Sequence, residues 1–214
     1  MRDIPMFATE NGVASLIFKK IPYTKEAFVH IRDSASCNEL MKECIDVCRM
    51  AGAEKVFATG HNMLEDRELL CSVLRYTASK DKMPETDCAV LAVSIEQKDW
   101  WRQLYNDKMS AVPSAAPLSD GDLMELIQQQ KAFCVYRECS LIGIGVAYKG
   151  EIHAVVSITP GAGKSIVPAL ASILDTPIVS LSVASSNQKA IMLYQSLGFE
   201  AVDVVAKWYK IFEL

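Results

Sequence analysis

The chain has 214 residues, 50% of them hydrophobic and 22% charged, enough apolar material for one large core or two small ones. Its formal net charge is −4 with Lys and Arg scattered along the chain, which lacks the electrostatic footprint of a nucleic-acid binder, and no apolar run approaches the length needed to cross a bilayer. The opening residues lack the apolar core of a signal peptide, and seven cysteines, an odd number without a C-x-x-C pair, read as reduced thiols, so the expected location is cytoplasmic and a nucleic-acid or membrane partner is not expected.

Residues 13–60 read as a compact α/β unit: a hairpin over 13–21 and 27–32, a helix from Cys37 to Ala51, and a strand over 55–59. Ser36-Cys37-Asn38-Glu39 has the spacing of a capping box, and Gly52 is a natural helix stop. Cys37, Cys44 and Cys48 fall on one helical stripe with Leu40, Met41 and Ala51 and read as core; with only His30, His61 and His153 elsewhere, no metal site is expected. His61, in Thr59-Gly60-His61-Asn62, reads as a loop residue. A second helical pattern runs over 65–76, and the polar stretch 78–87 looks like a linker, which divides the chain into an N-terminal α/β subdomain, 1–80, and a larger domain, 85–214.

Beyond the linker the expected order is a strand over 89–95, a helix over 97–109 carrying Trp100, Trp101, Leu104 and Tyr105, a short helix over 122–130, and strands over 132–137, 141–148 and 151–158. In the last of these Glu151 and His153 alternate onto one face with Val155 and Ser157, and either could accept a proton. From Ala154 to Ser165 a strand gives way to Thr159-Pro160-Gly161-Ala162-Gly163-Lys164-Ser165 and a helix start, where backbone N–H groups and the positive helix end can gather around a phosphate. Gly163-Lys164-Ser165 invites a nucleotide-triphosphatase reading, but the glycine required five residues before Gly163 is Ile158, so that template fails. If Ser165 caps the following helix, Pro168 lies in its first turn, where no hydrogen bond is lost.

A strand over 178–183 then enters a helix near Asn187. Ala190, Ile191, Tyr194 and Leu197 form its apolar stripe and Gly198 can take the left-handed turn that ends it; one or two strands close the chain over 201–212. The pattern V-x-x-x-N-x-x-A-x-x-L-Y-x-x-L-G-F over 183–199 resembles the acetyl-CoA end of the GNAT N-acetyltransferases, and the element order of 85–214 is similar to a complete domain of that family. The resemblance implies a mixed α/β (α+β) central sheet flanked by helices, here with an N-terminal α/β extension that is either a worn-down GNAT-like half or a generic addition.

By the same resemblance acetyl-CoA is the cosubstrate, without a metal, and the acceptor is a primary amine on a small molecule or peptide. Asn187 resembles the asparagine that binds the pantetheine or phosphate arm, and Tyr194 the tyrosine that protonates the departing sulfur. Gly161 and Gly163 match the small positions of the family's pyrophosphate turn, which would also draw on Ala162, Lys164 and Ser165. Its first position, Gln or Arg in the family, is Ile158 here, with Lys164 a substitute for the missing charge. The pantetheine gap would lie between 155–158 and 181–184, with an oxyanion donor from a backbone N–H near Val156. Glu151 and His153 remain alternative bases. Ile158 also leaves open a non-catalytic acyl-CoA-binding sensor, and a homodimer is the default assembly.

Overall fold

The computed structural model describes residues 5–112 and 115–214. The chain divides into two compact units: the first takes the residues up to Val73 together with 204–214, the second 74–203. This division differs from a break in the polar stretch 78–87, because the change of unit falls within a strand and the chain end returns to the first unit.

In the first unit β1 (Met6–Thr9), β2 (Gly12–Ile17) and β3 (Glu26–Ser34) form an antiparallel meander, with a single turn of helix, α1 (Ile21–Thr24), before β3. Helix α2 (Cys37–Met50) then leads to β4 (Lys55–Thr59), parallel to β3, and the 209–213 part of β11 (Glu200–Glu213) pairs antiparallel with β4. Cys37, Leu40, Met41, Cys44 and Cys48 form the buried stripe of α2, packed on Leu16, Val29 and Val56. Ser36 stands at the N-cap, but its side chain makes no capping bond and Glu39 pairs with Lys42, so the expected capping box does not form.

The expected helix over 65–76 is instead a strand, β5 (Leu69–Ser79). Leu70, Val73 and Leu74 have helical spacing, yet Cys71, Tyr76 and Ala78 are the buried positions, and Val73, Tyr76 and Thr77 suit a pleated surface. Ile21 falls in α1 rather than in the hairpin strand, and β1 is a strand absent from the sequence expectation.

In the second unit β6 (Ala89–Ala92), β7 (Ala132–Arg137), β8 (Ser140–Tyr148) and β9 (Glu151–Ser157) are successively antiparallel. Helix α5 (Gly163–Ser172) leads to β10 (Ile178–Ala184), parallel to β9, and the 74–79 stretch of β5 lies beyond β10. Helices α3 (Lys98–Met109) and α4 (Asp120–Gln128) cover one face, where Trp101, Tyr105, Leu123, Ile144 and Val156 are buried. Trp101 Nε1 donates to Phe133 O at 3.2 Å and its ring stacks on Tyr105, which makes both core residues. On the other face α5 and α6 (Gln188–Ser196) bury Ile166, Leu170, Leu181, Leu197 and Phe199.

Close approach of α5 to the sheet depends on two glycines. A Cβ on Gly143 would lie 2.3 Å from Ile166 Cδ1, and one on Gly145 would lie 2.3 Å from Leu170 Cδ1, so two ridge residues four apart on α5 seat on bare β8 backbone. Helix α5 begins at Gly163 with Ala162 as N-cap, three residues earlier than a Ser165 cap would require, and Pro168 therefore lies inside the helix. Lys80 Nζ closes its far end by donating to Ser172 O and Leu174 O at 2.9 and 2.7 Å, which meets orphan carbonyls with a positive charge.

Candidate cofactor site

Strands β9 and β10 begin as a pair and then part. Ser180 N–H donates to Gly150 O at 2.9 Å, and the register matches only Ser180 with Glu151 and Leu181 with Ile152, although the strands run on to Ser157 and Ala184. The parting starts at a bulge. Opposite Val146 and Ala147 of β8 stand Ala154 and Ile152, so His153 has no ladder partner.

The bulge reverses the facing of the strand beyond it. Ile152 and Val155 pack with the α5 face, whereas Ala154 and Val156 pack with the α3/α4 face. Glu151 and His153 therefore do not share one face with Val155 and Ser157. Ile158 N–H donates to Ile142 O of the β8 side at 2.9 Å. By the alternation of an antiparallel ladder the Val156 N–H also points toward β8, and the N–H groups of Val155 and Ser157 point toward β10. Near Val156, then, it is its two neighbours that offer donors to the gap. From 153 to 157 that gap extends about 13 Å at strand rise.

At its outer end the gap meets two strand-to-helix junctions. Gly161, at φ 81°, takes the left-handed conformation that the turn needs. Ala162 N–H is bonded to Thr159 O, but the N–H groups of Gly161 and Gly163 have no partner among the described residues. A Cβ on Gly163 would lie 2.6 Å from Leu193 Cδ2, so the glycine lets α6 approach the start of α5. On the second junction Asn187 caps α6, its Oδ1 accepting from Ala190 N at 3.2 Å, and Gly198 at φ 83° ends the helix while Phe199 N–H returns to Tyr194 O.

These junctions line a cavity of about 770 Å³ with Ile158, Gly161, Gly163, Lys164 and Asn187 from the sequence-derived set, joined by Lys108, Ser157, Lys189, Met192 and Leu193. Three lysines and no carboxylate face it, and none of the three makes an ion pair among the described residues. Unpaired amides, a helix N-terminus and three ammonium groups suit a phosphate-rich ligand. Ile158, 40% exposed, presents an apolar wall where the family turn has Gln or Arg.

Other expected residues lie off the cavity wall. Val156 is buried, Ala162 sits behind the turn, and Ser165 Oγ accepts from Arg137 in a neighbouring hollow of about 340 Å³ that shares Lys164 and Ser196 with the cavity. Tyr194 packs its ring on Phe199, 5.9 Å between centroids, and burial pushes its phenol pKa up to about 12, so it stays protonated at neutral pH. Glu151 and His153 belong to the inner end, where β9 leaves β10; Glu151 Oε1 accepts from Ser182 Oγ at 3.4 Å. The His153 ring stacks on Tyr148, and loss of water on that side lowers its pKa against the opposing pull of Glu151. Lys108 and Lys189 escaped the sequence reading because single lysines on helices look solvated; their signal was position, Lys189 two residues past the cap and Lys108 in the last turn of α3. Among the described residues no three His, Cys, Asp or Glu side chains gather as a metal site requires, and no helix is long and apolar enough to cross a membrane.

No protein-family model and no curated protein sequence matches this chain significantly. Solved structures do: a GCN5-related N-acetyltransferase from Kribbella flavida superimposes with a TM-score of 0.60 at 12% identity, over 96% of this chain and 59% of that one. The fold is that of the GNAT acetyltransferases. A functionally unknown conserved protein from Staphylococcus epidermidis superimposes with a TM-score of 0.57 at 11% identity, over 98% of this chain and 94% of that one. A tandem GNAT protein from the clavulanic acid biosynthesis pathway matches at 0.50 and 10%, over 94% and 78% of the two chains. The mixed sheet with flanking helices anticipated from the 183–199 motif is thus the architecture found, and within the GNAT fold the β9–α5 and β10–α6 junctions are the parts that frame the cavity.

Proposed function

We propose that this protein is an acetyl-CoA-dependent N-acetyltransferase acting on a primary amine, with its cofactor site in the second unit. The observation that carries the reading is the gathering of the Gly161 and Gly163 amides with Lys108, Lys164 and Lys189 at the mouth of a parallel strand pair that opens after two residues. The phosphates of coenzyme A match the cationic mouth, and its pantetheine arm matches a gap whose edge on the β9 side carries the Val155 and Ser157 N–H groups.

Acetyl transfer needs donors for the developing oxyanion, a proton acceptor for the amine and a proton for the leaving thiolate. Backbone N–H groups on β9 fill the first role, and their fixed orientation spares reorganisation when charge develops. Tyr194, held protonated by burial, fills the third; Asn187 secures α6 and borders the cofactor. Ser165 and Ala162 shape the turn without touching the ligand.

The first unit repeats a piece of this plan, a three-stranded meander, a helix and a parallel strand, but β3 and β4 stay paired over five consecutive positions from Glu26–Lys55 to His30–Thr59. We read it as a closed GNAT-like half with a supporting role, a reading supported by the tandem GNAT protein among the structural relatives.

Isothermal titration with acetyl-CoA, followed by thiol release over a panel of amines, tests the assignment. Binding with turnover is expected. Binding without turnover on any amine favours the acyl-CoA sensor, which the apolar Ile158 in the phosphate turn supports, and no binding at saturating acetyl-CoA refutes both.

A further inference from the structure

Three side chains line up across neighbouring strands of the second unit where β9 leaves β10. The His153 and Tyr148 rings lie 3.9 Å apart with 20° between their planes, and Lys131 Nζ lies 4.4 Å from the centre of the Tyr148 ring. Lys131 precedes β7, Tyr148 ends β8, and His153 is the unpartnered bulge residue of β9. A bulged residue has no ladder partner to fix its direction, so an adjacent aromatic face supplies that restraint. The charged and titratable groups facing this row are Glu151 on β9, Lys131 itself, and Glu125 of α4, which faces Tyr148.

We propose that Lys131 and Tyr148 are positioning residues that hold the His153 imidazole over the bulge, so that His153 takes the proton from the attacking amine at the inner end of the gap. This rests on the acetyl-transfer reading above. As the amine nitrogen bonds to the acetyl carbonyl carbon, its proton passes to an unprotonated ring nitrogen of His153; the C–S bond then breaks and the sulfur takes a proton from Tyr194. Water afterwards removes the proton from His153 and restores the phenol. Loss of water on the side that the Tyr148 ring covers, together with the Lys131 charge, disfavours the imidazolium and keeps a ring nitrogen open, while Glu151 and a hydrogen bond to the Tyr148 backbone oppose them.

Only three histidines, His30, His61 and His153, contribute imidazole signals, so ¹H–¹³C NMR of the full chain can follow each titration. His153 is expected to titrate below its ordinary range, and Lys131→Met and Tyr148→Leu to move it to higher pH, with Tyr148→Phe returning it toward the wild-type value. Thiol release from acetyl-CoA, with phenylethylamine as probe acceptor or water alone where that amine is not used, should show an acid limb that moves with the His153 titration. An unchanged His153 titration in both Lys131→Met and Tyr148→Leu overturns the positioning role, and so does an acid limb that ignores a shifted titration. Absence of acetyl-CoA binding would instead refute the transferase reading, with the NMR titration still deciding whether Lys131 and Tyr148 govern His153.

Discussion

Replacing Gly143 with alanine tests whether the phosphate turn is held in place by the seat of α5 on β8. The new Cβ would meet Ile166 Cδ1 at 2.3 Å and Val156 O at 2.6 Å. Ile166 can rotate away, but the Val156 carbonyl is fixed in the β8–β9 ladder, so the strain must widen the sheet or push α5 outward. Overpacking of this kind costs about 1–3 kcal/mol. At about 2–4 °C per kcal/mol for a chain of this size, the melting temperature should fall by roughly 2–12 °C. Because α5 begins at Gly163, which lines the cavity, acetyl-CoA affinity should fall too, by about tenfold if roughly 1.4 kcal/mol of the strain reaches the turn. Gly121→Ala is the control: the nearest atom to its Cβ is Ser119 Oγ at 3.9 Å, and within α4 the change should be neutral or stabilising by up to about 1 kcal/mol. Scanning calorimetry and isothermal titration read both quantities. A Gly143→Ala protein that melts and binds acetyl-CoA like the parent would refute the idea that bare β8 backbone positions the turn.

Each of Lys108→Gln, Lys164→Gln and Lys189→Gln should weaken acetyl-CoA binding about three- to tenfold, roughly 0.7–1.4 kcal/mol, and the parent affinity should drop between low and moderate salt; salt-insensitive binding would contradict a phosphate role for the lysines. Tyr194→Phe should lower turnover while leaving cofactor affinity near the parent value, as measured by single-turnover thiol release beside titration calorimetry, and full turnover with chemistry rate-limiting would remove the acid assignment. Alkaline pH should destabilise the fold. Burial pushes the Cys44, Cys48, Tyr105 and Tyr194 groups up to about 12 and Cys134 to about 11. The unfolded chain gives up these protons near the ordinary values of 9.0 for cysteine and 10.0 for tyrosine, so above about pH 9 the folded state binds more protons and loses stability as pH rises. Equal urea midpoints at pH 8 and pH 10.5 would contradict that sign.

The second unit was largely legible because its signals are local. Asn187 and Gly198 mark both ends of α6 through backbone rules that act over a few residues, and the strands over 132–158 are separated by a turn at Lys149-Gly150, where both residues have positive φ. The resemblance over 183–199 then pointed to the architecture as a whole. What escaped was set by distant partners. β5 carries a helical apolar spacing and becomes a strand through pairing decided elsewhere in the chain, and α5 starts at Gly163 because Leu193 and β8 accept it there. The bulge at His153 is invisible in a period-2 pattern: one extra residue opposite β8 separates the facing of Glu151 and His153 from that of Val155 and Ser157, which the sequence placed together.

Comparing the two parallel pairs gives the physical reason to assign the cofactor to one unit. In the first unit five successive residues of β3 and β4 are in register, and the turn from β3 into α2 runs through Ala35 and Ser36, whose N–H groups both bond to Asn11 O. Those two loop amides are spent within the fold, and no gap opens between the strands for a chain-like ligand. In the second unit a single bulge ends the pairing after two positions, and Gly161 and Gly163 leave their amides unspent beside three lysines. An unpaired amide is costly unless water or a ligand meets it. Among the described residues the uncapped first turn of α2 also leaves amides without a partner, but beside a closed strand pair; in the second unit such amides stand with three lysines at the mouth of an open gap, the arrangement that suits a phosphate-bearing chain-like ligand.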